Sequence, residues 1–198
     1  AGMSNQAKFF SEHYRVLAVD SRAHGKSQAS EGRLTYEQMA EDYNTLLDQL
    51  NLKSVYVIGV SDRGIIGLLL AIKYPEKVAK LAIMGANLTP DGAYAWAQEW
   101  VVQQEIFVNQ KIAQDDKTKP WARNKQLLDL MGKQPNISLT DLRKIEAPTL
   151  VMAGDRDVIR PEHTLAIFEN IKNSHLSIFP GSTHFIAQQD PKLFNDTV

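Results

Sequence analysis

The 198-residue chain contains no cysteine. That excludes disulfides, thiolate metal sites and a cysteine nucleophile. No apolar run approaches the ~20 residues that a membrane-spanning helix needs. No basic block stands out either: 22 Lys and Arg against 23 Asp and Glu leave a formal net charge of −1, so nucleic acid is not an expected partner. The opening Ala1-Gly2-Met3-Ser4-Asn5 lacks the shape of a secretory leader. Internal repeats and low-complexity tracts are absent from the sequence. What remains is a chain with 43% hydrophobic residues, long enough for one sizeable core and a small insertion. Composition leaves the location open, with cytoplasm as the default expectation.

One stretch organises the rest. Residues 54–59 form a β-branched apolar run, short enough for a buried strand. Residues 65–72 are almost wholly apolar and run into Lys73-Tyr74-Pro75, which reads as a buried helix stopped near the proline. Between them stands Gly59-Val60-Ser61-Asp62-Arg63-Gly64. A strand that turns into a helix within a few residues, with serine at the apex, has the geometry of a nucleophile elbow. The turn lifts the hydroxyl above the sheet and aims backbone N–H groups at a helix N-terminus, where negative charge is favoured. The match to G-x-S-x-G is imperfect, because Arg63 takes the second glycine's place and Gly64 follows one residue late.

Taken in order, residues 4–12 read as a short helix and residues 14–19 as a strand ending at Asp20. The loop Asp20-Ser21-Arg22-Ala23-His24-Gly25-Lys26-Ser27 follows. Thr35-x-x-Gln38 is a capping box opening an amphipathic helix to about Leu50, with Tyr36, Met39, Ala40, Tyr43, Leu46, Leu47 and Leu50 on one side. Residues 80–84 supply a further strand. From Leu88 about 55 residues have helical spacing, no clear strand and all three tryptophans, Trp96, Trp100 and Trp121. Strands return at residues 149–153 and 175–179, with a helix from Pro161 to about Asn170 between them. Asp190-Pro191 opens a last helix. Strands alternating with helices predict right-handed βαβ units and a mainly parallel sheet, whose sites form beyond the carboxyl ends of the strands. Ser61, Asp157 and His184 each fall just after a predicted strand.

Several pieces together make the chain resemble an α/β-hydrolase fold protein. They are the Asp20 loop (similar to D-x-R-G-x-G-x-S), the Ser61 elbow, Gly154-Asp155-Arg156-Asp157 with Pro161, and Gly181-Ser182-Thr183-His184. Within the family, Ser61-Asp62, Lys73-Tyr74-Pro75 and Met84-Gly85-Ala86-Asn87 are similar to the valacyclovir hydrolase (biphenyl hydrolase-like) branch. The resemblance implies a core of residues 1–87 and 145–198 carrying a helical cap insertion, 88–144. It also implies Ser61 as nucleophile, His184 as general base and then acid, and Asp157 as the residue that orients His184. The chemistry agrees: a serine hydroxyl needs an imidazole to take its proton, and a carboxylate fixes the imidazole tautomer. The backbone N–H of Asp62 would supply an oxyanion donor. Asp155 is the rival to Asp157. His13, His24, His163 and His175 read as surface or structural, and Asp20 and His24 as braces of their loop. The Asp62 side chain either caps the elbow helix or binds a cationic substrate group. The tryptophans read first as packing, with Trp96 and Trp100 also candidates for substrate contact.

The resemblance also exposes departures. The family has strands before the first helix seen here, one of which supplies a second oxyanion N–H, and those strands are expected to be absent from this chain. An unpaired sheet edge would follow, and with it a homo-oligomer through that edge. Arg63 must point out of the strand–helix contact; from there it could pair with Asp62 or narrow the pocket, or it could distort the turn enough to misplace Ser61. Ala23 holds the place of a glycine and is strained if the loop needs φ > 0. The expected activity is hydrolysis of a small carboxylic ester, or an amide, through an acyl-enzyme, with no cofactor or metal and no membrane. The alternatives are a catalytically impaired ligand-binding or interaction protein on the same fold, and haloperoxidase-like or C–C bond hydrolase chemistry.

Overall fold

The computed structural model describes residues 3–29 and 32–198. Four strands build the sheet: β1 (Val55–Val60), β2 (Val78–Met84), β3 (Thr149–Arg156) and β4 (Ser174–Thr183). They are parallel throughout and lie side by side in chain order. Val60 pairs with Met84 and Met84 with Met152, while Arg156 pairs with Thr183. This register lines up the residues that follow each strand along one edge of the sheet.

Alternation of side chains gives the sheet two buried faces. Leu81, Ile83 and Val151 face a core with the apolar side of α2 (Tyr36–Gln49), α3 (Asp62–Lys73) and Ile167 of α7 (Pro161–Asn170). Ala82, Met84 and Met152 face the opposite core with Ile186, Ala187 and Phe194 from α8 (Ile186–Gln189) and α9 (Pro191–Thr197). The short α1 (Ser4–Phe10) closes that second layer, where Gln6 Nε2 donates to Ala187 O at 2.8 Å. Every residue from Gly64 to Ala71 is buried, because α3 lies between the sheet and α2. α2 begins at the Thr35 cap, whose hydroxyl accepts the Gln38 N–H at 3.1 Å. The reciprocal half of the box is not formed, since Gln38 Oε1 has no partner among the described residues.

Between β2 and β3 lie α4 (Ala95–Ala113), α5 (Trp121–Lys133) and the short α6 (Leu139–Leu142). No strand forms there, as the helical spacing predicts; a single isolated bridge joins Ala93 to Ile159. α4 and α5 pack through Val108, Trp121 and Leu128.

One expected strand is not there. Residues 14–19 carry the right pattern but make no ladder. A strand exists only by sharing N–H and C=O groups with a neighbour, and nothing bonds this segment to the outer edge of β1. Its one ring contact with β1 is Tyr14 against Tyr56, with centroids 5.9 Å apart. Val16, Leu17 and Val19 are left exposed.

Candidate active site

The elbow forms as the sequence predicts. Ser61 adopts φ 58°, ψ −128° between β1 and α3, a conformation that costs roughly 1–3 kcal/mol for a non-glycine residue. The surrounding bonds hold it there. Ser61 N–H donates to Met84 O at 2.8 Å, and the N–H groups of Gly64 and Ile65 donate to Ser61 O. A Cβ at Gly59 would lie 2.3 Å from Arg63 O, so only glycine lets the backbone cross itself this tightly. Gly64 faces Ala86 on the inner side of the turn. Arg63 therefore falls on the outside, exposed, and forms no ion pair with Asp62. Arg63 points out of the strand–helix contact as expected, without the pairing to Asp62 that was one alternative, and the displaced glycine explains why the elbow tolerates a long side chain.

Asp157 follows β3 and His184 follows β4, and their side chains meet beyond the ends of those strands. His184 Nδ1 lies 2.7 Å from Asp157 Oδ1, with both side chains nearly out of solvent at 11% and 1% exposure. Asp157 Oδ1 also accepts the Ile159 N–H at 3.0 Å, which fixes the carboxylate. Asp155 is occupied elsewhere, accepting the Gly181 N–H at 2.9 Å. An imidazole that donates from Nδ1 to a carboxylate leaves Nε2 free as the acceptor.

Gly85 brings this pair to the elbow. It has φ 60°, and a Cβ there would lie 2.7 Å from both Cε1 and Nδ1 of His184. The imidazole thus lies directly on the residue after Met84, whose carbonyl holds the Ser61 N–H. Ser61 Oγ is not hydrogen-bonded to His184 in this structure. Such contacts often tighten only when substrate is bound. Asp62 is the first residue of α3, so its N–H is one of the donors a helix leaves without an internal acceptor.

The remaining candidates divide. The Asp62 carboxylate accepts the Tyr36 hydroxyl at 2.7 Å, and its other oxygen lies 4.0 Å from His24 Nε2. The sequence reading places Tyr36 on the apolar side of its helix but not at the site; the available signal is its place directly after the Thr35 cap, where a buried phenol needs a partner. Burial, with help from Asp62, pushes the Tyr36 phenol far above its ordinary range, so it is a neutral donor. Asp20 and His24 brace their loop: Asp20 Oδ2 accepts the Lys26 N–H and His24 Nδ1 meets Arg22 O. Ala23 does adopt φ 61°. Trp121 packs, but Trp96 and Trp100 do not: they are 61% and 54% exposed. The packing expected of those two is therefore corrected, because the buried side of α4 is set by Val108 and its neighbours. Among the described residues no group of three His, Asp or Glu side chains is placed to hold a metal ion, and no helix is long and apolar enough to cross a membrane.

In sequence and in fold the chain is similar to known proteins. The family model for the alpha/beta hydrolase fold matches residues 3–144, and the chain belongs to that family. It is 26% identical to the serine hydrolase BPHL of Mus musculus over 212 residues, covering 94% of this chain and 69% of that protein. It is 25% identical to 3-oxoadipate enol-lactonase 2 of Acinetobacter baylyi, covering 98% of this chain and 80% of that protein. In fold it is similar to a thermophilic esterase from Thermogutta terrifontis, with a TM-score of 0.77, 24% identity and coverage of 98% and 82% of the two chains.

Proposed function

We propose that this protein is a serine hydrolase that cleaves a small carboxylic ester through an acyl-enzyme. The observation that carries the reading is the buried 2.7 Å contact of His184 Nδ1 with Asp157 Oδ1, set on Gly85 beside the Ser61 elbow. Ser61 Oγ attacks the ester carbonyl carbon as its proton passes to His184 Nε2. The carbonyl oxygen becomes an oxyanion and accepts the Asp62 N–H. Collapse expels the alkoxide, which takes the proton from Nε2. Water then attacks the acyl carbonyl carbon as its proton passes to Nε2, and the second tetrahedral intermediate collapses to the carboxylic acid as Ser61 Oγ leaves and takes that proton back. Throughout, Asp157 holds Nδ1–H and offsets the imidazolium charge.

Residues 88–144 act in this reading as a cap that limits substrate size, and Trp96 and Trp100 would meet substrate only at its outer margin. The side chain of Asp62 would meet a cationic group through the oxygen that Tyr36 leaves free. The esterase, lactonase and serine hydrolase names of the relatives support the reaction class.

The test is intact mass after incubation with a fluorophosphonate, with peptide mapping of the adduct. One adduct on Ser61, lost in Ser61→Ala, is the expected result. A folded protein that takes no label would overturn the assignment and favour a ligand-binding relative.

A further inference from the structure

The elbow is tied to the α4–α5 insertion by a chain of side-chain hydrogen bonds that the triad does not use. Gln134, the residue that ends α5, is buried, and its amide grips the entry to α2 from both sides. Gln134 Oε1 accepts the Tyr36 N–H at 3.2 Å, and Gln134 Nε2 donates to Leu34 O at 3.1 Å. Two more α5 side chains hold the preceding stretch by its carbonyls: Arg123 Nε donates to Ala23 O at 2.5 Å and Gln126 Nε2 to Gly32 O at 3.1 Å. Tyr36 is thus fixed at its backbone by α5, and its hydroxyl reaches across to Asp62 Oδ1 at 2.7 Å.

That contact falls one residue from the nucleophile. Tyr36 is 1% exposed, so the phenol lies behind Asp62 and cannot touch substrate. It is the only direct hydrogen-bond donor to the Asp62 carboxylate among the described residues, since His24 stands at 4.0 Å. Hydrogen bonds to an ionised acceptor are about twice as strong as neutral ones. Anchoring the Asp62 side chain restrains the Ser61–Asp62 peptide, whose N–H is the oxyanion donor.

We infer that Tyr36 is a positioning residue for the oxyanion donor, acting through Asp62 and held in place by Gln134 of the cap. The inference rests on the serine-hydrolase reading above. Its effect belongs to the transition state, because the oxyanion exists only there. Binding of the ground-state ester should scarcely notice the loss.

The experiment compares wild type, Tyr36→Phe, Asp62→Ala and the double variant, using turnover of p-nitrophenyl acetate, with Ser61→Ala as control. Tyr36→Phe removes one oxygen and keeps the ring. The expected result is a fall in kcat of about tenfold with KM unchanged, the pattern of an interaction made only in the transition state. Asp62→Ala should lower kcat by a similar factor, and adding Tyr36→Phe to it should cost nothing more. Equal turnover by Tyr36→Phe and wild type, or independent additive losses, would overturn the inference while Ser61→Ala still upholds the nucleophile. Turnover surviving in Ser61→Ala would overturn the underlying reading instead. Should Tyr36→Phe melt too early to assay, Asp62→Ala decides alone: an unchanged kcat there removes the route through which Tyr36 is said to act.

Discussion

Gly85 shows how much of the site rests on a single missing methyl group. Its φ of 60° is left-handed, and the His184 ring occupies the space a Cβ would take, 2.7 Å from Cε1 and Nδ1. Alanine there would strain the backbone by roughly 1–2 kcal/mol and push the imidazole off Asp157. Gly85→Ala should therefore cut ester turnover and fluorophosphonate labelling by about 10² or more, the scale of losing a triad contact, while lowering the melting temperature by only a few degrees. Retained labelling in a folded variant would mean that His184 finds its place without the glycine. Asp157→Asn tests the same pair from the other side. The amide oxygen can still accept the Ile159 and His184 N–H groups, so what is lost is the negative charge that offsets the imidazolium, and turnover should drop by about 10² or more with the fold intact. Asp155→Asn, whose native carboxylate accepts the Gly181 N–H and no His184 proton, should leave turnover within a few-fold of wild type; the reverse ranking in a kcat comparison would exchange the two carboxylates.

The elements differ in how far local signals reveal them. Ser61 was legible because a strand, a serine and a helix follow one another within a few residues. His184 and Asp157 were legible because each follows a strand that the apolar runs mark. The Tyr36–Asp62 bond spans 26 residues and the Gln134–Tyr36 bond 98, and no spacing rule carries a contact over such distances. His163 belongs to the same hidden class, since it read only as surface or structural. Its Nδ1 accepts the Leu88 N–H at 3.3 Å, so α7 pins the loop that carries Gly85. Burial is the largest cause holding its pKa below the ordinary value, and Arg160 lowers it further against the opposing pull of Asp91 and Glu162. The unfolded chain then binds the proton more readily, and stability falls as pH drops through about 6.5 toward the lower folded value. Above that window the group contributes no pH dependence. Wild type should thus lose melting temperature between pH 7.5 and 5.5 more steeply than His163→Asn, whose carbonyl still accepts from Leu88. Parallel curves would show that another group titrates.

At the scale of the whole molecule, the sheet was legible in class and connectivity but not in the number of strands it pairs. Residues 14–19 are a largely apolar run of strand length, yet such a run reports only readiness to be buried, and pairing needs a neighbour. Among the described residues no strand pairs with the outer edge of β1, which is flanked by a segment with Tyr14, Val16, Leu17 and Val19 exposed and Tyr56 at 57%. Unpaired N–H and C=O groups beside apolar side chains are a template for another extended chain, and in a pure sample the available chain is a second copy. Wild type should accordingly show an average mass that rises with concentration in sedimentation velocity. Tyr56→Glu places a charge on the exposed edge and sets it beside Lys80, whose ammonium already lies 5.5 Å from the Tyr56 ring centroid. That variant should stay monomeric over the same range, with the Ser61 label unchanged, because the site opens at the far ends of the strands. A wild type that is monomeric at every concentration would show that residues 14–19 and the flanking rings shield the edge well enough alone.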